Sequence, residues 1–222
     1  MASSYLSSVV ESDNVWKGPC RLLWAAAGTS FPGVLESVIQ PKTVAGGHLE
    51  AYAVSADWND FGGTSEDGVT ITREFEAEDG IPVDQLNYNL FEGDPTNWQM
   101  RMAATLLETD YQNLVMGWEL PTARTLAVDA SGPDYNVAQK RVDFSAPTKL
   151  TERLMAAVQQ HPETDALRVF VFRKAVLGAE GMEMQLSGGT VTGLAQSWMC
   201  KADPDVDQLL GAFGKLFEED AV

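Results

Sequence analysis

Residues 69–79 read Val-Thr-Ile-Thr-Arg-Glu-Phe-Glu-Ala-Glu-Asp, and their alternation decides the fold class. Val69, Ile71, Phe75 and Ala77 fall on one side of an extended chain. Thr70, Thr72, Glu74, Glu76 and Glu78 fall on the other, the period of a strand with one buried and one wetted face. After the turn at Asp79-Gly80-Ile81-Pro82, the next stretch sets Leu86, Tyr88 and Leu90 opposite Gln85, Asn87 and Asn89. A third run follows the turn at Gly93-Asp94-Pro95 and sets Trp98, Met100, Met102, Ala104 and Leu106 against Asn97, Gln99, Arg101, Ala103 and Thr105. Three successive strands, each polar on one face, predict a mainly β, antiparallel protein.

Working outward, the apolar run from Cys20 to Ala27 predicts a buried strand ended by a turn at Gly28–Gly33, and Leu35–Ile39 and Ala51–Ser55 predict short strands. Between them and Val69, residues 41–68 read mostly as one long loop. Thr109 with Gln112 forms a capping-box pattern ahead of Tyr111, Leu114, Val115 and Trp118, predicting a short helix closed by Pro121. Four more strands are expected over Leu150–Gln159, Leu167–Leu177, Met182–Ser187 and Val191–Cys200. At the end, Asp203 reads as an N-cap with Pro204 at the first helical position. Val206, Leu209, Leu210, Phe213, Leu216 and Phe217 then make one apolar stripe, predicting a C-terminal amphipathic helix. The organisation expected is an N-terminal arm (1–17), one β domain (18–204), and a terminal helix and tail (205–222).

A chain of 222 residues that is 45% apolar and 21% charged is long enough for one sizeable core. Its 15 Lys and Arg against 32 Asp and Glu give a net charge of -17, which repels a polyanion and excludes ordinary tight nucleic-acid binding. No apolar run approaches the roughly 18 residues of a membrane span, and the first basic residue, Lys17, comes late for a secretory signal, so neither membrane nor export is expected. Cys20 and Cys200 lack CxxC spacing and read as reduced core residues, and with only His48 and His161 to join them a metal site is not expected. The Gly62-Gly63 and Gly188-Gly189 pairs fit turns, since no phosphate-loop pattern surrounds them. Carboxylates abound without a nucleophile motif, so the chain is not expected to be an enzyme or to carry a cofactor.

From Asp57 to Asp84, nine carboxylates (Asp57, Asp60, Glu66, Asp67, Glu74, Glu76, Glu78, Asp79, Asp84) face a single Arg73. A solvated surface explains part of that bias. Stacking Glu74, Glu76 and Glu78 on one strand face costs a few tenths of a kcal/mol per like-charged neighbour, which points to a face that must stay wet and anionic. Of the tryptophans, Trp24, Trp98, Trp118 and Trp198 lie in core patterns, whereas Trp16 and Trp58 lie outside them and are expected to bury against another subunit.

The order of these features resembles one family. Trp58-Asn-Asp-Phe-Gly62-Gly-Thr64, Gly68-Val-Thr-Ile-Thr72, the Glu-rich strand, Val83-Asp84-Gln85, the strand Trp98–Leu106, Glu108 with the short helix to Trp118, and the strand Arg168–Lys174 together resemble the major tail, or tail tube, proteins of long-tailed bacteriophages, over residues 18–204. The resemblance implies a β-sandwich or barrel-like domain with a flanking helix. It implies hexameric rings that stack into a tube in the virion tail, formed in the host cytoplasm, through which viral double-stranded DNA passes without tight binding. Its partners would be further copies of itself and tail proteins such as the tape measure and tail terminator. Lumen-facing residues would be Glu74, Glu76, Glu78, Gln85, Asn87, Asn89 and Gln99, with Arg101 neutralised by a nearby carboxylate. Contacts between subunits would fall to Trp16, Trp58, Phe61, Leu209, Phe213 and Leu216, and the 41–68 loop would reach the next ring. Alternatives are a tail terminator, a type VI secretion tube subunit, or a carbohydrate-binding β-sandwich using exposed tryptophans.

Overall fold

A computed structural model describes residues 20–40, 53–77, 82–83, 88–89, 95–107, 111–117, 119, 124–126, 139–141, 149–161, 166–178, 183–184, 193–207 and 210–219. The strands are β1 (Cys20–Ala25), β2 (Ile39–Gln40), β3 (Ala53–Val54), β4 (Trp58–Ala77), β5 (Pro82–Val83), β6 (Tyr88–Asn89), β7 (Pro95–Leu106), β8 (Arg124–Leu126), β9 (Gln139–Arg141), β10 (Arg153–Gln160), β11 (Leu167–Leu177), β12 (Glu183–Met184), β13 (Leu194–Lys201) and β14 (Gly214–Glu218). One α-helix, α1, covers Tyr111–Gly117. The protein is mainly β, as the alternation predicts.

The main sheet closes on itself. Its order is β13-β7-β4-β1-β10-β11, and β11 pairs back onto β13, so six antiparallel strands form a barrel. Alternate residues from all six point into one cluster: Leu22 from β1, Phe61 from β4, Met102, Ala104 and Leu106 from β7, Met155 and Ala157 from β10, Phe172 and Ala175 from β11, and Leu194, Trp198 and Cys200 from β13. This cluster fills the barrel, as side chains do in small barrels. Residues of opposite parity on β1, β10 and β11 (Leu23, Ala25, Leu154, Ala156, Val158, Leu167, Val169, Val171) form a second cluster outside it. Leu35, Val38 and Ile39 from the short 3-10 turn and β2 cover that outer layer, together with Trp58. Buried on both faces, β10 reads Leu-Met-Ala-Ala-Val with no polar alternation. Helix α1 packs Leu114 and Met116 against the barrel cluster, and Asn113 Nδ2 donates to the Phe61 carbonyl at 2.8 Å.

Two expectations are corrected. The long loop over 41–68 does not hold where the structure describes it: β4 already begins at Trp58 and runs through the glycine-rich stretch, and residues 41–52 lie outside the described residues. Alternation fails there because β4 changes partner, pairing Trp58–Gly63 with β1 and Thr64–Ala77 with β7. Between Thr64↔Leu106 and Val69↔Ala104, β4 uses more residues than β7, so a bulge carries Ser65–Gly68 out of register. Gly68 sits there at φ 67°, a left-handed conformation that a Cβ would strain.

The second correction is the C-terminal helix. Residues 214–218 form β14, paired with Arg168–Phe172 of β11. β13 meets β11 only from Lys174 onward, so the first half of that β11 edge would otherwise leave its backbone groups unpaired. Gly211 and Gly214 each weaken a helix by about 1 kcal/mol relative to alanine, and the apolar stripe divides, with Phe217 packed on the outer cluster and Leu216 exposed. A Cβ on Gly214 would lie 1.9 Å from the Val171 carbonyl oxygen. Gly214→Ala therefore destabilises the protein by about 3 kcal/mol in urea unfolding, while Gly33→Ala, with open space around it, stays within about 0.5 kcal/mol.

Candidate functional site

Beyond Met100, the last β7 residue paired to β13, β4 and β7 continue as a two-stranded ribbon, paired Glu74↔Gln99, Glu76↔Thr96 and Ala77↔Pro95. Its two faces differ in chemistry. The face continuous with the barrel interior carries Arg73, Phe75 and Trp98. The Arg73 guanidinium lies 4.2 Å over the Trp98 ring, and the Phe75 ring stands 4.8 Å from the same indole. Phe75 is still 54% exposed, so the apolar face of the ribbon is covered only in part.

The opposite face carries Thr70, Thr72, Glu74 and Glu76 across from Ala103, Arg101 and Gln99. Glu74, Glu76 and Gln99 are thus placed on one face of the ribbon, outside the single-chain barrel. Arg101 stands opposite Thr72. Glu78, Gln85 and Asn87 lie outside the described residues, and Asn89 is placed only as backbone in the β5–β6 pair. Of the expected contacts between subunits, Trp58 and Phe61 are 5% and 2% exposed within their own chain, which leaves them no surface for a neighbour. The mechanism is the unforeseen start of β4, which draws both rings into the two cores. Phe61 packs 6.3 Å from Trp24 and 5.8 Å from Trp198. Phe213 is half-buried and Leu216 exposed; Trp16 and Leu209 lie outside the described residues.

A second feature escaped the sequence reading. A cleft of about 340 Å³ is lined by Ala26–Thr29, Phe31, Glu152–Leu154, Arg173, Lys174 and Asp203. Three cations meet here in a strongly acidic protein, Arg153 from β10 and Arg173 and Lys174 from β11. Two are matched by carboxylates. Arg153 pairs with Glu119, a residue at φ 51° and 8% exposed, and Lys174 Nζ lies 2.8 Å from Asp203 Oδ1. Arg173 differs: its Nε donates to the Gly211 carbonyl at 3.1 Å and its guanidinium lies 3.7 Å over the Phe31 ring. The local signal was the Arg173-Lys174 pair within an apolar strand; what gathers the other groups is the closure of the sheet.

Cys20 and Cys200 are free thiols, Cys200 within the barrel cluster and Cys20 packed against it. Burial pushes their thiols up to about 11 and about 12, consistent with inert core residues. Among the described residues, no three His, Cys, Asp or Glu side chains gather as a metal site, and His161 is buried beside the β10–β11 turn. No described helix is long and apolar enough to cross a membrane. Compared with known proteins, the chain matches no family model and no curated protein.

Two outcomes test the cleft's ion pairs. Arg153→Met strands the Glu119 carboxylate in a largely buried site and costs about 3 kcal/mol in urea unfolding; adding Glu119→Gln recovers part of it. The hydrogen bond from Lys174 holds the Asp203 carboxyl below its ordinary 3.8, and that same bond raises the Lys174 ammonium above 10.5. The pair's contribution is therefore present above 3.8 and below 10.5, fading as pH falls through the lowered Asp203 value or rises through the raised Lys174 value. Melting curves of the wild type and Lys174→Met should differ between about pH 5 and 9 and converge as the pH falls through the lowered Asp203 value.

Proposed function

We propose that the protein is a structural subunit of a bacteriophage tail tube, assembling into hexameric rings that stack around a channel for double-stranded DNA. The observation that carries this reading is the β4–β7 ribbon, which extends past a closed barrel and holds Glu74, Glu76 and Gln99 on one outward face. Ribbons set side by side around a ring would form a continuous wall with that face turned inward. The channel would lie between copies and not inside any single barrel, whose interior is filled by side chains.

The electrostatics suit a conduit. Each cationic contact with phosphate would add affinity and slow a long polyanion, whereas carboxylates and amides keep it sliding. Self and other tail proteins would be the partners, and the virion tail the place of function. The family's sandwich-like details belong to this reading too: the inner barrel cluster and the outer layer over β1, β10 and β11 make two packed layers. The alternative of a carbohydrate platform draws little support, because Trp58 and Trp198 are buried and Trp98 lies beneath Arg73.

Negative-stain electron microscopy of concentrated protein tests the proposal, with hollow filaments of uniform bore expected and a permanently monomeric protein overturning it. In a phage carrying Glu74→Lys with Glu76→Lys, tails are expected to form while DNA ejection slows; unchanged ejection would remove these residues from the channel wall.

A further inference from the structure

Two flanks of the barrel carry charged side chains without an ion pair among the described residues. On β4, the bulge before Gly68 presents Glu66 and Asp67, both exposed, and among the described residues neither has a hydrogen bond or ion pair. On β11, three strands away around a ring of six, Arg173 borders the 340 Å³ cleft with no carboxylate at ion-pair distance among the described residues. Lys215 on β14 adds a second such cation, exposed and 5.8 Å from the Phe31 ring on which Arg173 lies. Phe31 and the Gly211 carbonyl fix the Arg173 guanidinium by its ring contact and its Nε, so its orientation is set before anything binds.

We propose that this cleft receives the Glu66–Asp67 bulge of a second copy, so that copies join through unlike surfaces, bulge to cleft. The proposal rests on the self-assembling reading above and names the contact that would drive it. Three arguments select a second copy as the occupant. The charges are complementary, and the bulge is a protruding pair of carboxylates that matches a guanidinium held in a recess. A copy with a charge of -17 is opposed least where cations without an ion pair stand, and Arg173 is such a group, acting on the Asp203 carboxylate only through space while Asp203 bonds Lys174. The two surfaces also lie on different strands. A contact between unlike patches leaves one of each free on every added copy and closes into a ring when the rotation permits.

The test uses the full chain in sedimentation velocity at about 50 mM and about 500 mM salt. Wild type should self-associate, more weakly at the higher salt. Glu66→Lys with Asp67→Lys, which alters exposed bulge side chains alone, should weaken association about tenfold or more, and so should Arg173→Glu. Lys215→Glu serves as a second cleft variant that leaves the Phe31–Arg173 contact in place. Mixing the bulge variant with a cleft variant should restore association, since the native bulge of one meets the native cleft of the other and the two charge-reversed surfaces also attract. If wild type never associates, the tail-tube reading falls. If wild type assembles but the bulge variant assembles equally well, or the mixture stays monomeric, this contact is overturned while that reading stands.

Discussion

Closure of the sheet along β11 is the constraint on which the rest depends. One edge of this strand has two partners in succession, β14 along Arg168–Phe172 and β13 along Lys174–Leu177. Without β14, half of that edge would expose unpaired backbone groups; without β13, the barrel would be an open sheet with its apolar interior facing water. The β14 partner needs the chain to pass close to β11, and Gly214 supplies that approach. Closure also brings Lys174 beside Lys201, while the β10–β11 pair sets Arg153 opposite Ala175, so the gathering of cations needs both pairings of β11.

Much of the fold was legible because burial on one face writes itself as period two. The strands at Cys20–Ala25, Leu167–Leu177 and Leu194–Lys201 lie where their apolar runs place them, and the capping pattern at Thr109 precedes α1. What the sequence hid falls where one strand serves two neighbours. β4 bends between β1 and β7, so its alternation breaks at Gly62–Gly68 and reads as a loop. The residues after Asp203 carry a helical stripe, yet the open edge of β11 outweighs a helical preference already weakened by two glycines.

The candidate site was legible in the same uneven way. Glu74, Glu76 and Gln99 were readable as one face because strand parity alone fixes it. Trp58 and Phe61 were misread because their parity is defined relative to β1, a neighbour distant in sequence. The cleft was hidden for a related reason: Phe31, Arg153, Arg173 and Asp203 are scattered along the chain, and no local pattern in the sequence links them.

The pairing of β1 has a consequence for biosynthesis. Its Cys20–Ala25 segment finds β4 soon after emerging from the ribosome, but its other edge must wait for Gln159 and the residues before it. Until then the nascent polypeptide carries Leu22, Leu23 and Trp24 in a half-mated ribbon, a template for stray strands of other chains. Such late, long-range mating is intrinsically slow. Dense negative charge between residues 57 and 84 would keep neighbouring nascent chains apart during that interval, a service rendered before any mature assembly exists.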